Sequence, residues 1–289
     1  MTTLNATTNP KISPTVRTLD IAYTPDSDDA FNFYGWEHGP VRCPGYKARF
    51  HCGHIAQLNE AARHGEYDVV AVSSVAYPAL ADQYRVLSVG SSVGRGYGPV
   101  LVAREAVDIS TLGGKRVALA GLNTTGGVLA RMYCPSGTKF VEMAYDKIAA
   151  SLLRGEIDAG VMIHEELVHY PKLGLQRVRD LGAAWTEETG LPLPVGLNLV
   201  RRSLGLETAV QIARACRDSL NWSLANRERA MAHVGRMGRS CAETFVPMFS
   251  NGDTLCMPAD VRTALRLLLD RLAGLGWAGP VANLEIIDA

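Results

Sequence analysis

His64-Gly65-Glu66-Tyr67-Asp68-Val69-Val70-Ala71-Val72 returns about ninety residues later as Arg154-Gly155-Glu156-Ile157-Asp158-Ala159-Gly160-Val161-Met162. In each copy a helical stretch, Leu58–Arg63 or Ile148–Leu153, stops at a glycine. Glycine closes a helix in the left-handed conformation without steric cost. The apolar run that follows reads as a strand buried on both faces. The repeat predicts an α/β protein of two lobes built on one unit. Aligning the glycines sets Ser74 opposite His164, with Ser73 beside it. Strand ends are where open α/β sheets hold ligands. If the lobes face each other, Ser73, Ser74 and His164 share one cleft.

Strands and helices alternate outward from this unit. Leu19–Tyr23 reads as the first strand, Pro25–Asp29 as a polar turn and residues 30–38 as a helix. Lys47–Cys52 is the next strand and Ile55–Arg63 the next helix. Tyr97–Arg104 leaves the first lobe. The segment Glu188–Gly196, with two prolines between glycines, fixes a rigid path back into Leu197–Arg202. The remainder is largely helical: Glu207–Leu224, Arg227–Arg236 and Ala259–Leu272. Its residues Val210, Ile212, Ala213, Cys216 and Leu220 recur near helical spacing and should pack on the first lobe. The expected division is a tail over 1–16, a discontinuous large lobe over 17–102 and 200–289, and a small lobe over 103–199.

The chain's 289 residues, 47% of them hydrophobic and 20% charged, suit two soluble lobes of moderate size. Lys+Arg and Asp+Glu balance at 29 each, so the sequence carries no electrostatic footprint for nucleic acid or an anionic membrane. No apolar run approaches a membrane span, and Met1–Thr15 lacks the apolar core of a secretory signal. Six scattered cysteines without a CxxC read as reduced thiols. A cytoplasmic location is expected. The expected partner is a small-molecule substrate, with a homodimer as the candidate assembly.

His164 closes the strand of the second copy and is the candidate general acid or base. Its alternative is a core histidine satisfied by a backbone carbonyl. Glu165 follows it and should point to the opposite face of an extended chain. Asp26-Ser27-Asp28-Asp29 lies between the first strand and a helix, so its carboxylates either cap that helix or face the cleft, with Asp28 and Asp29 as candidates. Gly121-Leu122-Asn123-Thr124-Thr125-Gly126-Gly127 joins strand Arg116–Ala120 to a helix, and its amides and the Thr124 and Thr125 hydroxyls suit a carboxylate or phosphate. It is neither a GxGxxG fingerprint nor a P-loop. His51-Cys52-Gly53-His54 resembles a metal fragment but has no second ligand pair. Cys134 is a nucleophile only with a base beside it. Phe31, Phe33, Tyr34 and Trp36 suit lobe packing.

The chain after about Leu19 resembles the 1,4-dihydroxy-6-naphthoate synthase family, futalosine-pathway enzymes of menaquinone biosynthesis. The matching blocks are Phe31-x-Phe33-Tyr34 with His38-Gly39, Gly94-Arg95-Gly96-x-Gly98-Pro99, and Thr124-Thr125. Further matches are Tyr145-Asp146, Ile163-His164-Glu165, Asp180-Leu181-Gly182 and the specific Glu187–Pro194 run. The resemblance implies a two-lobed periplasmic-binding-protein fold of type II with the ligand cleft between the lobes. It implies a carbon–carbon or carbon–oxygen lyase that forms 1,4-dihydroxy-6-naphthoate from cyclic dehypoxanthine futalosine, with no cofactor or metal. Within it His164 is the acid–base residue, and Asp29, Asn59, Ser73 and Thr125 line the pocket with Leu193 and Pro194.

This chain departs from the family pattern in places. The family's Ser-Pro-Cys-Pro-Asn-Asp-Thr-Phe is Thr24-Pro25-Asp26-Ser27-Asp28-Asp29-Ala30-Phe31 here, and a common lysine is Ala71. An acid gained at Asp28 and a base lost at Ala71 are expected to weaken binding of a carboxylated naphthalene. Two other readings fit the same pattern: a same-fold enzyme for another small polar metabolite, and a binding protein without turnover.

Overall fold

The computed structural model describes residues 16–236 and 241–289. The N-terminal tail expected over 1–16 lies, except for Val16, outside the described residues.

Two sheets carry the chain. The first contains β1 (Arg17–Tyr23), β2 (Tyr46–Cys52), β3 (Val69–Ser73), β4 (Tyr84–Leu87) and β5 (Ser92–Gly94). The second contains β6 (Val100–Ala103), β7 (Arg116–Leu119), β8 (Lys139–Glu142), β9 (Ala159–Met162) and β10 (Gln176–Asp180). The chain then returns as β11 (Leu193–Arg201) and β12 (Ile286–Ile287) in the first sheet. The strand orders are β12-β4-β11-β3-β1-β2, with β5 also on β11, and β10-β6-β9-β7-β8. The two arrangements match: three parallel strands, β2-β1-β3 and β8-β7-β9, are each followed by antiparallel strands, β11 and then β4 or β6 and then β10.

The repeated sequence unit explains this match. Gly65 and Gly155 both have positive φ, 64° and 75°. Each is followed by a glutamate whose N–H returns five residues to the preceding turn, Glu66 to Ala61 and Glu156 to Ser151. The aspartate two residues on ties its strand to the parallel neighbour. Asp68 accepts the Asp20 N–H at 3.0 Å, and Asp158 accepts the Arg116 N–H at 2.7 Å. The strands that follow, β3 and β9, are buried along their whole length, which their unbroken apolar sequence requires.

The crossing points lie earlier than the expected division at 102 and 200. Val100–Ala103 pairs with β9, and Leu193–Arg201 pairs with β3, because each apolar strand completes the sheet it enters. The path through Pro192 and Pro194 is therefore the start of a strand with a bulge between Pro194 and Gly196.

The long helix Leu206–Ala225 buries Ala209, Ile212, Ala213, Cys216 and Leu220 at helical spacing. It lies on the helix Ser27–Glu37, where Trp36 N–H reaches Ser219 Oγ at 2.9 Å. Phe31, Phe33 and Trp36 fill the core beneath that contact, as lobe packing requires. The C-terminal region also touches the second sheet. Phe245 and Phe249 of the helix Ala242–Phe249 pack with Val100, Val102 and Met162. Among the described residues no helix is long and apolar enough to cross a membrane.

Candidate active site between the two sheets

The second copy of the repeat departs from an extended path just beyond β9. His164 has φ 53°, the only non-glycine residue among those described with positive φ. A left-handed residue costs roughly 1–2 kcal/mol, and such strain is held where the surroundings over-determine it. The turn sends His164 and Glu165 to the same side, towards the first sheet. This corrects the expectation that Glu165 points away, which assumed a continuing strand. His164 Nδ1 pairs with the Asp26 carboxylate. Glu165 Oε1 accepts the Ser27 N–H at 2.7 Å and the Ser27 hydroxyl. Two adjacent residues of one lobe thus grip two adjacent residues of the other.

An ionised carboxylate only accepts, so the Asp26 contact places a proton on Nδ1 of His164. The other ring nitrogen, Nε2, is buried with no hydrogen-bond partner, and His164 lines the cleft. The Tyr145 ring packs against the imidazole edge at 4.7 Å. Burial alone would lower His164, but the charge and hydrogen bond of Asp26 outweigh it and its pKa is raised. Burial alone would raise Asp26, but His164, Thr24 and Asp28 hold its carboxyl below the usual range.

The acidic turn is the start of a helix rather than a free loop. Ser27 opens the helix Ser27–Glu37, and Asp26 occupies the N-cap position without capping it. The cap comes from Glu165 instead, an acid at the positive end of a helix. Thr24 donates to Asp26, and its N–H and Oγ1 donate to Asp29 Oδ2 at 3.0 and 2.7 Å. Burial and the nearby Asp26 raise Asp29 to about 7, against the Thr24 bonds. Asp28 is pushed well above the carboxylate range by burial and by Asp26, Asp29 and Glu165. The same burial and neighbours disfavour the charged form of Asp28.

The other predicted residues divide between the cleft and its supports. Ser73, Thr124 and Thr125 line the cleft. Ser73 is fixed from behind by Asn59, which accepts its N–H at 2.9 Å and donates to its hydroxyl at 3.2 Å. Asn59 thus supports the lining rather than forming it. Thr124 caps the helix Thr125–Tyr133 through Gly127 N–H, and the Thr125 hydroxyl donates to Val195 O at 2.6 Å. Both hydroxyls are engaged, leaving the backbone at that helix start as the polar surface.

Ser74, Leu193 and Pro194 are not in the lining. Ser74 turns under as the chain enters a short 3-10 helix. Leu193 is fully buried, and β11 first reaches the cleft at Val195. Asn198, Ser92, Phe245 and Phe249 line it and were not anticipated. Asn198 Oδ1 is buried without a partner, and its amide occupies space that Gly90, at φ 86°, leaves by having no Cβ.

In the His51–His54 segment, His51 Nε2 lies 2.7 Å from Asp20, and Cys52 is exposed. Burial pushes the Cys134 thiol up to about 11, which leaves it a poor nucleophile.

A model of the menaquinone biosynthesis family matches residues 19–274. The chain is 35% identical over 266 residues to 1,4-dihydroxy-6-naphtoate synthase of Thermus thermophilus, covering 91% of this chain and 96% of that one. An X-ray structure of a protein from Archaeoglobus fulgidus is similar at TM-score 0.84 and 38% identity, covering 90% of this chain and 98% of that one. The alkanesulfonate-binding protein of Xanthomonas axonopodis pv. citri, bound to MOPS, is similar at TM-score 0.73 and 13% identity, covering 94% and 98%. That likeness concerns the fold, which is the two-lobed periplasmic-binding-protein type. The chain belongs to the menaquinone biosynthesis family and is an enzyme.

Proposed function

We propose that this member of the menaquinone biosynthesis family converts cyclic dehypoxanthine futalosine to 1,4-dihydroxy-6-naphthoate, with His164 as general acid–base group. The observation that carries the reading is the state of the imidazole: Nδ1 is held by Asp26, and Nε2 is buried and unpartnered at the cleft wall. A lyase step takes a proton from one part of the substrate while a bond breaks and returns it to the departing part. One oriented imidazole serves both transfers. Asp26 fixes its tautomer and stabilises the imidazolium formed in between, as the carboxylate of a catalytic triad does.

The rest of the cleft suits a flat bicyclic substrate. Ile55, Leu167, Leu197, Phe245 and Phe249 supply apolar walls. The start of the helix Thr125–Tyr133 offers its positive end to the substrate carboxylate. The half-open cleft offers about 80 Å³ of accessible volume in this state, below the roughly 300–1,000 Å³ of ligand pockets, so the cleft is expected to widen around substrate. Purified protein incubated with cyclic dehypoxanthine futalosine should yield the naphthoate by mass spectrometry. Folded protein that yields none would overturn the proposal.

A second reading is an enzyme of the same fold acting on another small polar metabolite. The lack of a cation to meet a ligand carboxylate favours it, since the described lining holds no lysine or arginine.

A further inference from the structure

Four carboxyl groups meet where the two sheets close. Asp26, Asp28 and Asp29 come from the first sheet's side and Glu165 from the second, and none is more than 6% exposed. The donors around them are shared unevenly. Thr24 serves Asp26 and Asp29, Ser27 serves Glu165, and Ser92 gives Asp28 Oδ2 one bond of 3.1 Å. Asp28 Oδ1 is buried and no donor reaches it. The imidazole paired with this group is His164, through Asp26. One imidazolium cannot balance four adjacent carboxylates out of water, so the cluster has to retain a proton. Asp28 Oδ1, which receives no bond, can carry that proton. Asp26, two residues away at the start of the same helix, is buried in the same cluster and lines the same cleft.

We infer that Asp28 is carried as a neutral carboxylic acid that donates its Oδ1 hydrogen to Asp26, and that it is a positioning residue holding Asp26 ionised and aimed at His164. The inference rests on the proposed acid–base role of His164. It extends the pair to a chain of three, Asp28 to Asp26 to His164, in which the first two members lie on one lobe and the third on the other. Buried polar networks of this kind act as units rather than as sums of pairs.

Asp28 is faced by Asp26 and Asp29 on its own turn and by Glu165 from the second sheet. The Ser92 hydroxyl on β5 donates to its carboxyl, and the Ser250 hydroxyl, just beyond the helix Ala242–Phe249, donates to its backbone carbonyl. The three carboxylates act with burial to favour its neutral form, and the Ser92 bond opposes them. A raised carboxyl is neutral below its folded pKa and ionises as pH rises through it. The arrangement therefore holds below that raised pKa and fails above it, where Asp28 and Asp26 repel.

The test compares Asp28→Ala and Asp28→Asn with wild type in naphthoate formation across pH. Asp28→Ala should lower kcat about 10-fold, the size of one charge-assisted hydrogen bond, with KM within about twofold. Asp28→Asn keeps a donor towards Asp26 and an acceptor for Ser92, so it should recover most of the lost kcat and flatten the alkaline limb. A variant Asp28→Asn as slow as Asp28→Ala would overturn the inference, because charge rather than donation would then be required. A raised KM at unchanged kcat in Asp28→Ala would also overturn it, by placing Asp28 against the substrate.

An infrared readout separates this inference from the functional proposal. If wild type forms no naphthoate, the proposed reaction fails, and the protonated-carboxyl band still decides the state of Asp28. A band that survives Asp29→Asn and vanishes in Asp28→Asn supports the neutral acid. Absence of such a band from wild type near neutral pH overturns it.

Discussion

The two copies of the helix–glycine–strand unit are alike through the last residue of the strand and differ in how they leave it. In the first, Ser73 continues with φ −63° and ψ 138° into a short 3-10 helix, and its polar groups are taken up by Asn59. In the second, the chain turns left-handed at His164 and leaves Nε2 unpartnered at the cleft. The scaffold is duplicated and the chemistry is not. One lobe supplies an imidazole, and the other supplies the carboxylate that orients it. The difference comes from a single backbone angle and a long-range pair, both added to a repeated frame.

Removing the imidazole should have the largest effect. His164→Ala is expected to lower kcat roughly 10²–10⁴-fold, the usual contribution of an acid–base group, while circular dichroism stays that of the folded protein. Wild-type turnover in this variant would erase the contrast between the copies.

Asp26→Asn should lower kcat on the order of 10²-fold, since Nδ1–H loses the acceptor that fixes the tautomer. Its pH profile carries a sign. A base must be neutral to act, so with a raised His164 pKa the acidic limb of kcat/KM lies above the ordinary imidazole value. Removing the Asp26 charge leaves burial to lower that pKa, so the limb should move to lower pH. An unmoved limb would separate Asp26 from the imidazole.

Changes inside the shared frame should behave alike in both copies. Gly65→Ala and Gly155→Ala each place a side chain at positive φ and should cost roughly 1–2 kcal/mol of stability in denaturant titrations. A large loss in one copy with none in the other would show that the frames are not equivalent.

The smallest effect is expected at the first copy's strand end. Ser73→Ala removes a hydroxyl already engaged by Asn59 and should change kcat/KM by less than about 10-fold, the worth of one or two neutral hydrogen bonds. A loss as great as that of His164→Ala would make the serine a reacting group.

The fold was largely legible because its signals are local. Glycine at a helix end, aspartate at a strand start and an unbroken apolar run each have one economical conformation, and together they predicted two lobes built on one unit. The site was legible where a residue sits on such an element, as with Ser73, Asp29, Thr124 and His164. It was not legible where residues meet across the cleft. Asp26 and His164 lie 138 positions apart, beyond the ends of strands in different sheets, and nothing near either one names the other. Glu165 was the visible carboxylate beside His164, yet the left-handed turn gives it to Ser27. One signal was present: Asp26 stands where the related pattern has cysteine, a change that places an acid next to the strand end. Asn198 and Phe249 were hidden for the same reason, since β11 and the C-terminal helices reach the cleft only through tertiary packing.

The claim that an imidazole of one lobe is governed by a carboxylate of the other can be measured without substrate. Nitrogen-15 NMR of His164 across pH, in wild type and in Asp26→Asn, reports both the protonated nitrogen and its titration. The expected result is a neutral form with its proton on Nδ1, a pKa above the ordinary imidazole value in wild type, and a clear drop in Asp26→Asn. The same titration in both proteins, or a proton on Nε2 in the neutral wild type, would contradict the account.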